Sequence, residues 1–356
     1  MVIMSMSNYK DLKIFIFSHF ESEVVPFILE SFPENIFTNQ KFYKINDLDN
    51  LSRMKDENPY GVVASALPFN TFDDCNSILT RIGASLNENG FLIGRFKTLE
   101  TRTRQVFAHH NNVLSKLILL YDFLFKRVLP KLPGSATIYK KFKLLHHQLI
   151  SKCEALGRLR FCGFDIQHIK ETDNYLYFIA QKSNLKPKAK PLDEFLIKVP
   201  KVGKNGKMIY CYKFRTMHPY ANLLHEFILE NLAIDNEGKV SNDFRMTGWG
   251  KFLRKTWLDE IPQLFNIIKG DLSIVGIRAL TKEFLALYPE DWRNERNKYK
   301  PGFVPPYYVD CPQTFEGIIE SEKKYCDAKK KHPIKTDILY FIKTVLNFVT
   351  GKARTG

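Results

Sequence analysis

The chain has 356 residues, 44% of them hydrophobic and 26% charged, with a formal net charge of +15. That length supports two domains with real cores, and that balance excludes a disordered or collagen-like chain. Residues 101–160 carry twelve Lys and Arg against only Asp122 and Glu154, a net of +10, a basic cluster that suits nucleic acid, an anionic membrane or simple solubility. The six cysteines (75, 153, 162, 211, 311 and 326) form no CxxC pair, which predicts reduced thiols and neither a disulfide framework nor a zinc site. The N-terminus does not read as a secretory signal, and no run of about eighteen apolar residues predicts a simple transmembrane helix.

In chain order, Lys13–Phe17 reads as a strand, Val24–Leu29 as a helix and Tyr60–Ala66 as a second strand. Asp73–Leu86 is amphipathic, with Ile78, Leu79, Ile82 and Leu86 on one face, and Asn87–Gly90 turns into a strand at Phe91–Arg95. Leu159–Ile166 and Tyr175–Lys182 are β-rich runs around Glu171–Asn174, which reads as a hairpin. A βαβ series closed by an antiparallel hairpin predicts an α/β domain with an open, doubly wound sheet over residues 1–183.

This region resembles a class I S-adenosylmethionine methyltransferase in the strand at Tyr60, the helix after it, the Glu88-Asn89-Gly90-Phe91 turn and Cys162-Gly163-Phe164. The resemblance implies a methyltransferase-like shell without a cofactor site, because Lys13–Phe17 runs into Ser18-His19-Phe20-Glu21 where a glycine-rich loop belongs. Residues 113–150 interrupt the pattern. Val113–Leu129 is apolar on nearly every side and stops at Pro130 and Pro133, and Thr137–Ile150 is a basic amphipathic stretch. Seventeen helical residues span ~25 Å, short of the ~30 Å hydrocarbon core, so a re-entrant or interfacial membrane element is expected, with a packed insertion as the alternative. Nucleic acid is disfavoured, since no base-reading motif accompanies the charge. Residues 184–194, polar and proline-bearing, read as the linker.

From residue 195 to 356 the texture changes. Phe195–Val202 and Lys207–Arg215 are predicted strands joined through Lys204-Asn205-Gly206, because Asn-Gly accepts positive φ at both positions. Lys213 and Arg215 share a face, and Tyr210, Tyr212 and Phe214 are expected to bury the other. Asp243, Arg245 and Arg254 follow, and then Trp257-Leu258-Asp259-Glu260-Ile261-Pro262-Gln263, a carboxylate pair at the start of a short helix closed by Gly270. A strand at Asp271–Gly276 precedes Arg278. Asp337–Val349 is a helix whose apolar stripe is Ile338, Phe341, Ile342, Val345 and Val349. Cations from several segments around a carboxylate pair suit a diphosphate substrate and a hard metal ion, with one carboxylate free to act as nucleophile. The residues alone do not choose between Asp259 and Glu260.

Taken together, Lys201-Val-Gly-Lys-Asn-Gly-Lys207, Tyr212-Lys-Phe-Arg-Thr-Met217, Asp243-Phe-Arg-Met-Thr247, Phe252-Leu-Arg-Lys255, Leu258-Asp-Glu-Ile-Pro-Gln263, Lys269-Gly-Asp-Leu-Ser-Ile-Val-Gly276 and Lys300-Pro-Gly302 resemble the bacterial sugar transferase family, the monotopic phosphoglycosyl transferases. The resemblance implies an α+β catalytic domain that moves a sugar-1-phosphate from a UDP-sugar to polyprenol phosphate through an aspartyl intermediate. That reaction initiates exopolysaccharide, capsule or other surface-glycan synthesis. It implies Asp259 as nucleophile, Glu260 with Asp259 as Mg²⁺ ligands, and Lys213, Arg215, Asp243, Arg245, Arg254 and Arg278 as substrate-binding residues. It also implies a place on the cytoplasmic face of the cell membrane, an anionic surface as partner, and homo-oligomerisation as an open alternative. Three departures stand out. Gly276-Ile277-Arg278-Ala279 lacks the two prolines usual around that arginine, Phe303-Val-Pro-Pro306 replaces a small-residue turn, and no re-entrant helix lies just before the first hairpin strand. They leave a catalytically weak membrane scaffold as the rival reading.

Overall fold

The computed structural model of the protein describes residues 9–31, 41–47, 60–72, 74–125, 149–183, 194–231 and 243–352. The chain forms two compact units, one of residues 1–193 with 218–245 and the other of 194–217 with 246–356. His218–Arg245 therefore folds with the first unit, not within one continuous domain from residue 195. The tie is local. Asn76 Nδ2 donates to Tyr220 Oη at 2.8 Å, Arg158 lies 4.9 Å above the Tyr220 ring and Phe161 meets it edge-on.

In the first unit α1 (Tyr9–His19) and α2 (Val25–Glu30) precede β1 (Phe42–Ile45) and β2 (Tyr60–Pro68). Then come α3 (Cys75–Ser85), β3 (Leu86–Phe96), α4 (Leu99–His109) and α5 (Asn112–Phe123). The unit is completed by α6 (Lys152–Phe161), β4 (Phe164–Glu171), β5 (Leu176–Lys182) and, from the later segment, α7 (His225–Asn231). The sheet order is β1-β2-β3-β5-β4, with β1, β2 and β3 parallel and the β4/β5 hairpin antiparallel, a mixed α/β sheet. Leu12, Ile16, Val25 and Ile28 cover Val62, Ala64, Ile93 and Ile179. Residues of the opposite parity (Val63, Leu92 and Phe178) are equally buried, so both faces are covered.

Three expectations fail here. Lys13–Phe17 is helical: Leu12, Phe15 and Ile16 are buried while Ile14 and Phe17 are exposed, and a short apolar run does not carry that distinction. Lys13–Phe17 is therefore no strand for a glycine-rich loop to follow, and Asn46–Pro59, which follows β1, the first strand among the described residues, contains no glycine either. Asn87–Gly90 is a bulge within β3, since Tyr60 pairs with Leu86 and Val62 with Phe91, and Asn89 takes φ 62°. Leu159–Ile166 begins as the end of α6, capped by Ser151, and becomes strand only after Gly163 at φ 87°. Of the expected membrane element, residues 126–148 lie outside the described residues, as does most of the expected linker.

The second unit opens with the hairpin β6 (Leu196–Val202) and β7 (Met208–Phe214), antiparallel, with Asn205 at φ 56° and Gly206 at φ 73° in the turn. Helices α8 (Gly248–Lys255) and α9 (Leu264–Ile268) follow, then β8 (Ser273–Val275), α10 (Lys282–Ala286), α11 (Glu290–Arg296) and β9 (Gly302–Val304). The unit ends in α12 (Tyr307–Asp310), α13 (Phe315–Lys331) and α14 (Pro333–Val349). The strands β8 and β9 are parallel and very close. A Cβ on Gly302 would sit 2.0 Å from the Gly276 nitrogen, so only glycine fits. Val275, Ile277, Leu285, Trp292, Val304, Ile319, Tyr325 and Tyr340 form the core.

The expected aromatic inner face of β7 is reversed. Ile209 and Cys211 are buried against Leu272, and Tyr210 points to solvent. The face that carries Lys213 is the inner one. Helix α14 buries Thr336, Tyr340 and Thr344 and leaves its predicted apolar stripe exposed. Among the described residues, no helix is long and apolar enough to cross a membrane.

Candidate active site

The site is built on an unusual backbone residue. Trp257 has φ 61°, a left-handed conformation that costs a non-glycine residue ~1–2 kcal/mol. Its ring stacks on Phe303 (5.0 Å between centroids, 10° between planes) and on Phe348 (5.0 Å), and meets Tyr308 edge-on at 5.4 Å. Aromatic contacts contribute ~0.5–1.5 kcal/mol each beyond area burial, so three of them outweigh the backbone penalty. Trp257 starts the 3₁₀ turn Leu258–Gln263, whose first turn holds Asp259 and Glu260. The expected helix start is thus a 3₁₀ segment with Pro262 inside it, and α9 begins only at Leu264.

Asp259 is buried, and Glu260 accepts from Lys213 Nζ in a close ion pair and from Gln263 Nε2 at 2.9 Å. Burial raises the Asp259 carboxyl above the usual carboxylate range. The Lys213 charge pulls it back, Glu260 pushes it up again, and Arg254 lowers it. A cavity of about 270 Å³ is lined by Lys213, Arg254, Asp259, Glu260, Arg278 and Tyr308, among others. A narrower recess of about 40 Å³ shares Lys213, Glu260, Arg278 and Tyr308 and adds Lys201 and Tyr307. Burial holds the Lys201 ammonium below its ordinary range, and the nearby Arg278 and Lys213 charges deepen the shift. Four cations, Lys201, Lys213, Arg254 and Arg278, thus face two carboxylates, which leaves positive charge for an anionic ligand.

Arg278 is held without the expected prolines. The buried Arg296 donates from Nη2 to the Arg278 carbonyl in a close hydrogen bond and is itself clamped by Glu322, Nε to Oε2 at 2.9 Å and Nη2 to Oε1 at 3.1 Å. Gly302 N donates to Ile277 O at 2.9 Å, and the Arg278 guanidinium lies 5.6 Å from the Tyr307 ring centre. Hydrogen bonds and packing do here what ring rigidity would do.

Of the residues expected at the site, Asp259, Glu260, Lys213, Arg254 and Arg278 come together. Arg215 instead donates to the backbone carbonyls of Glu194 and Met217, each at 2.8 Å. Asp243 and Arg245 belong to the first unit and pair with each other (Nε–Oδ1 2.9 Å, Nη2–Oδ2 2.7 Å). Sequence reasoning passed over Lys201, Gln263, Tyr307, Tyr308 and the Arg296–Glu322 clamp. Lys201 was within reach: the hairpin register sets it opposite Ile209, on the face of Cys211 and Lys213. The clamp was not, because its partners are 26 residues apart in sequence on α11 and α13.

Among the described residues, no group of three or more His, Cys, Asp or Glu converges as a metal cage. Asp259 and Glu260 still suit a hard cation, because a buried carboxylate disfavoured by desolvation gains from one. Mg²⁺ commonly takes one or two carboxylates and draws its other ligands from phosphate and water.

Residues 184–351 match the sequence model of the family described as bacterial sugar transferase. The chain is 43% identical over 96 residues to the undecaprenyl-phosphate galactose phosphotransferase of Salmonella typhimurium, covering 26% of this chain and 20% of that protein. It is 39% identical over 133 residues to the galactosyl transferase CpsE of Streptococcus agalactiae (35% of this chain and 28% of that protein). It is 44% identical over 93 residues to the exopolysaccharide production protein ExoY of Sinorhizobium fredii (25% and 41%). The chain thus spans from a fifth to less than half of the length of these curated relatives. Among solved structures, an O-methyltransferase family protein from Burkholderia thailandensis covers 38% of this chain and 33% of its own at 14% identity, with a TM-score of 0.21, too low to carry an argument.

Proposed function

Since residues 184–351 belong to the bacterial sugar transferase family, we propose that the chain transfers a sugar-1-phosphate from a UDP-sugar to polyprenol phosphate, at the cytoplasmic face of the cell membrane, and so begins a surface glycan. The observation that carries this reading is the buried Asp259 carboxylate beside the Lys213–Glu260 pair, in a cavity also lined by Arg254 and Arg278. An Asp259 oxygen attacks the β-phosphorus, the bond from that phosphorus to the bridging oxygen breaks, and UMP leaves with the electron pair. A phosphate oxygen of polyprenol phosphate then attacks the same phosphorus, which forms the polyprenyl diphosphate sugar and returns Asp259 as a carboxylate.

Lys213 opposes the burial that raises Asp259 and holds Glu260 in place, while Arg278 and Lys201 neutralise the departing α-phosphate. Mg²⁺ held by Asp259 and Glu260 would supply further neutralisation of the diphosphate. Related proteins support the class of donor and acceptor by their names, among them an undecaprenyl-phosphate galactose phosphotransferase and a UDP-glucose:undecaprenyl-phosphate glucose-1-phosphate transferase of Klebsiella pneumoniae. The test is UMP release from a panel of UDP-sugars with polyprenol phosphate and Mg²⁺. Release with at least one donor is expected, along with its loss in Asp259→Asn. No UMP from any donor would leave the scaffold reading standing, and an active Asp259→Asn would remove Asp259 as nucleophile.

A further inference from the structure

Asn266, on α9, is 0% exposed, and its side chain joins two other segments of the second unit. Its Oδ1 accepts from the Tyr212 N–H at 3.1 Å, and its Nδ2 donates to the Tyr210 carbonyl at 2.7 Å and to Asp271 Oδ2 at 3.3 Å. Chemistry fixes the orientation of this amide, since a backbone N–H only donates and a carbonyl only accepts. Strand β7 belongs to a two-stranded sheet, so its edge away from β6 offers backbone groups that no third strand takes. One primary amide on α9 takes both. Asn266 thus stands in for a strand and fixes β7 to α9.

Glu260 is the group that this joint serves. Its two donors come from the two joined elements. Lys213, the residue after Tyr212 on β7, holds it in a close ion pair, and Gln263, the cap of α9, donates from Nε2 at 2.9 Å. We propose that Asn266 is a positioning residue that holds Glu260, and with it the neighbouring Asp259, in place by locking Lys213 and Gln263 to one another. The role rests on the transfer reaction proposed above. Full burial keeps Asn266 itself off the substrate, so it acts through these two side chains. No other residue type does the same: aspartate lacks the two donors, glutamine carries the amide on an arm one methylene longer, and leucine has neither function.

The test uses the full chain and UMP release with UDP-sugar, polyprenol phosphate and Mg²⁺. Asn266→Gln keeps donor and acceptor, so it preserves the fold even where Asn266→Leu, which strands two backbone groups, loses it. Asn266→Gln lowers kcat about 10²-fold, as a displacement of ~1 Å at a reacting group does, while the donor KM rises less than tenfold. In a Lys213→Met background the same substitution lowers kcat less than threefold, because the side chain it positions is gone. An equal factor in both backgrounds assigns the amide to folding alone and overturns the proposal, as does a wild-type kcat in Asn266→Gln. Amide exchange followed by NMR without any donor tests the joint apart from the reaction. Exchange at Tyr212 is at least tenfold faster in Asn266→Leu than in wild type, relative to the other amides of β7, and an unchanged Tyr212 rate overturns the proposal. A wild type that releases no UMP from any donor overturns the transfer reaction and this role together; an active wild type with unaffected variants overturns the role alone.

Discussion

The Arg296–Glu322 clamp offers a perturbation that separates folding from positioning. Both side chains are essentially buried, at 2% and 0% exposure, and two hydrogen bonds of 2.9 and 3.1 Å join them. Glu322→Gln removes one charge and leaves the guanidinium buried without compensation, which costs ~3–5 kcal/mol. At ~2–4 °C per kcal/mol this lowers the Tm by roughly 6–20 °C. Arg296→Met with Glu322→Leu removes both charges and restores apolar packing, so stability returns to within ~1 kcal/mol of wild type. Turnover does not return with it. The Arg278 carbonyl has lost its donor, and a misplacement of ~1 Å at a reacting group costs ~10²-fold. Thermal melts and UMP-release kinetics on the two variants read these effects separately. A double variant with wild-type kcat refutes the positioning role, and a single variant that melts within ~2 °C of wild type refutes the buried-charge reasoning.

In the proposed reaction Asp259 attacks only when ionised, so the rate falls as pH drops through its raised value. Lys213 opposes that rise. Lys213→Met therefore moves the acidic limb of the pH–rate profile to higher pH and lowers the plateau at least tenfold; a limb that stays in place refutes the coupling. Lys201→Met raises the KM for the UDP-sugar about 10–100-fold, as expected for losing a charge-assisted hydrogen bond of ~1.5–3 kcal/mol, with a smaller change in kcat and partial rescue by Lys201→Arg. Titration of donor binding checks this. Trp257→Ala loses the aromatic cage but keeps the left-handed strain, so Trp257→Gly melts higher than Trp257→Ala by ~1 kcal/mol; the reverse order in urea denaturation refutes the strain argument.

Much of this protein is local, and local features were legible. The Asn205-Gly206 turn demanded positive φ and set the hairpin register, and with it the face shared by Lys213 and Cys211. The Asp259-Glu260 pair announced itself by its place at the start of a turn. The turn and the second strand of the β4/β5 hairpin were evident from the polar residues Glu171–Asn174 and the β-rich run Tyr175–Lys182 after them. These signals depend on φ preference and spacing, which neighbours in sequence determine by themselves.

Other features were settled only by packing. Lys13–Phe17 is helical because α1 covers the sheet with Leu12, Phe15 and Ile16, a choice made by what lies opposite. The inner face of β7 fell to Ile209 and Cys211 over the tyrosines because Leu272 receives it. Arg215 donates to backbone carbonyls and Asp243 pairs with Arg245, contacts that residue type and motif spacing do not specify. The sequence by itself determined the chemistry available at Asp259 and Glu260. The tertiary structure decided which cations reach them, because a charge acts on a carboxylate through distance and burial, and both are set by segments far apart in the chain.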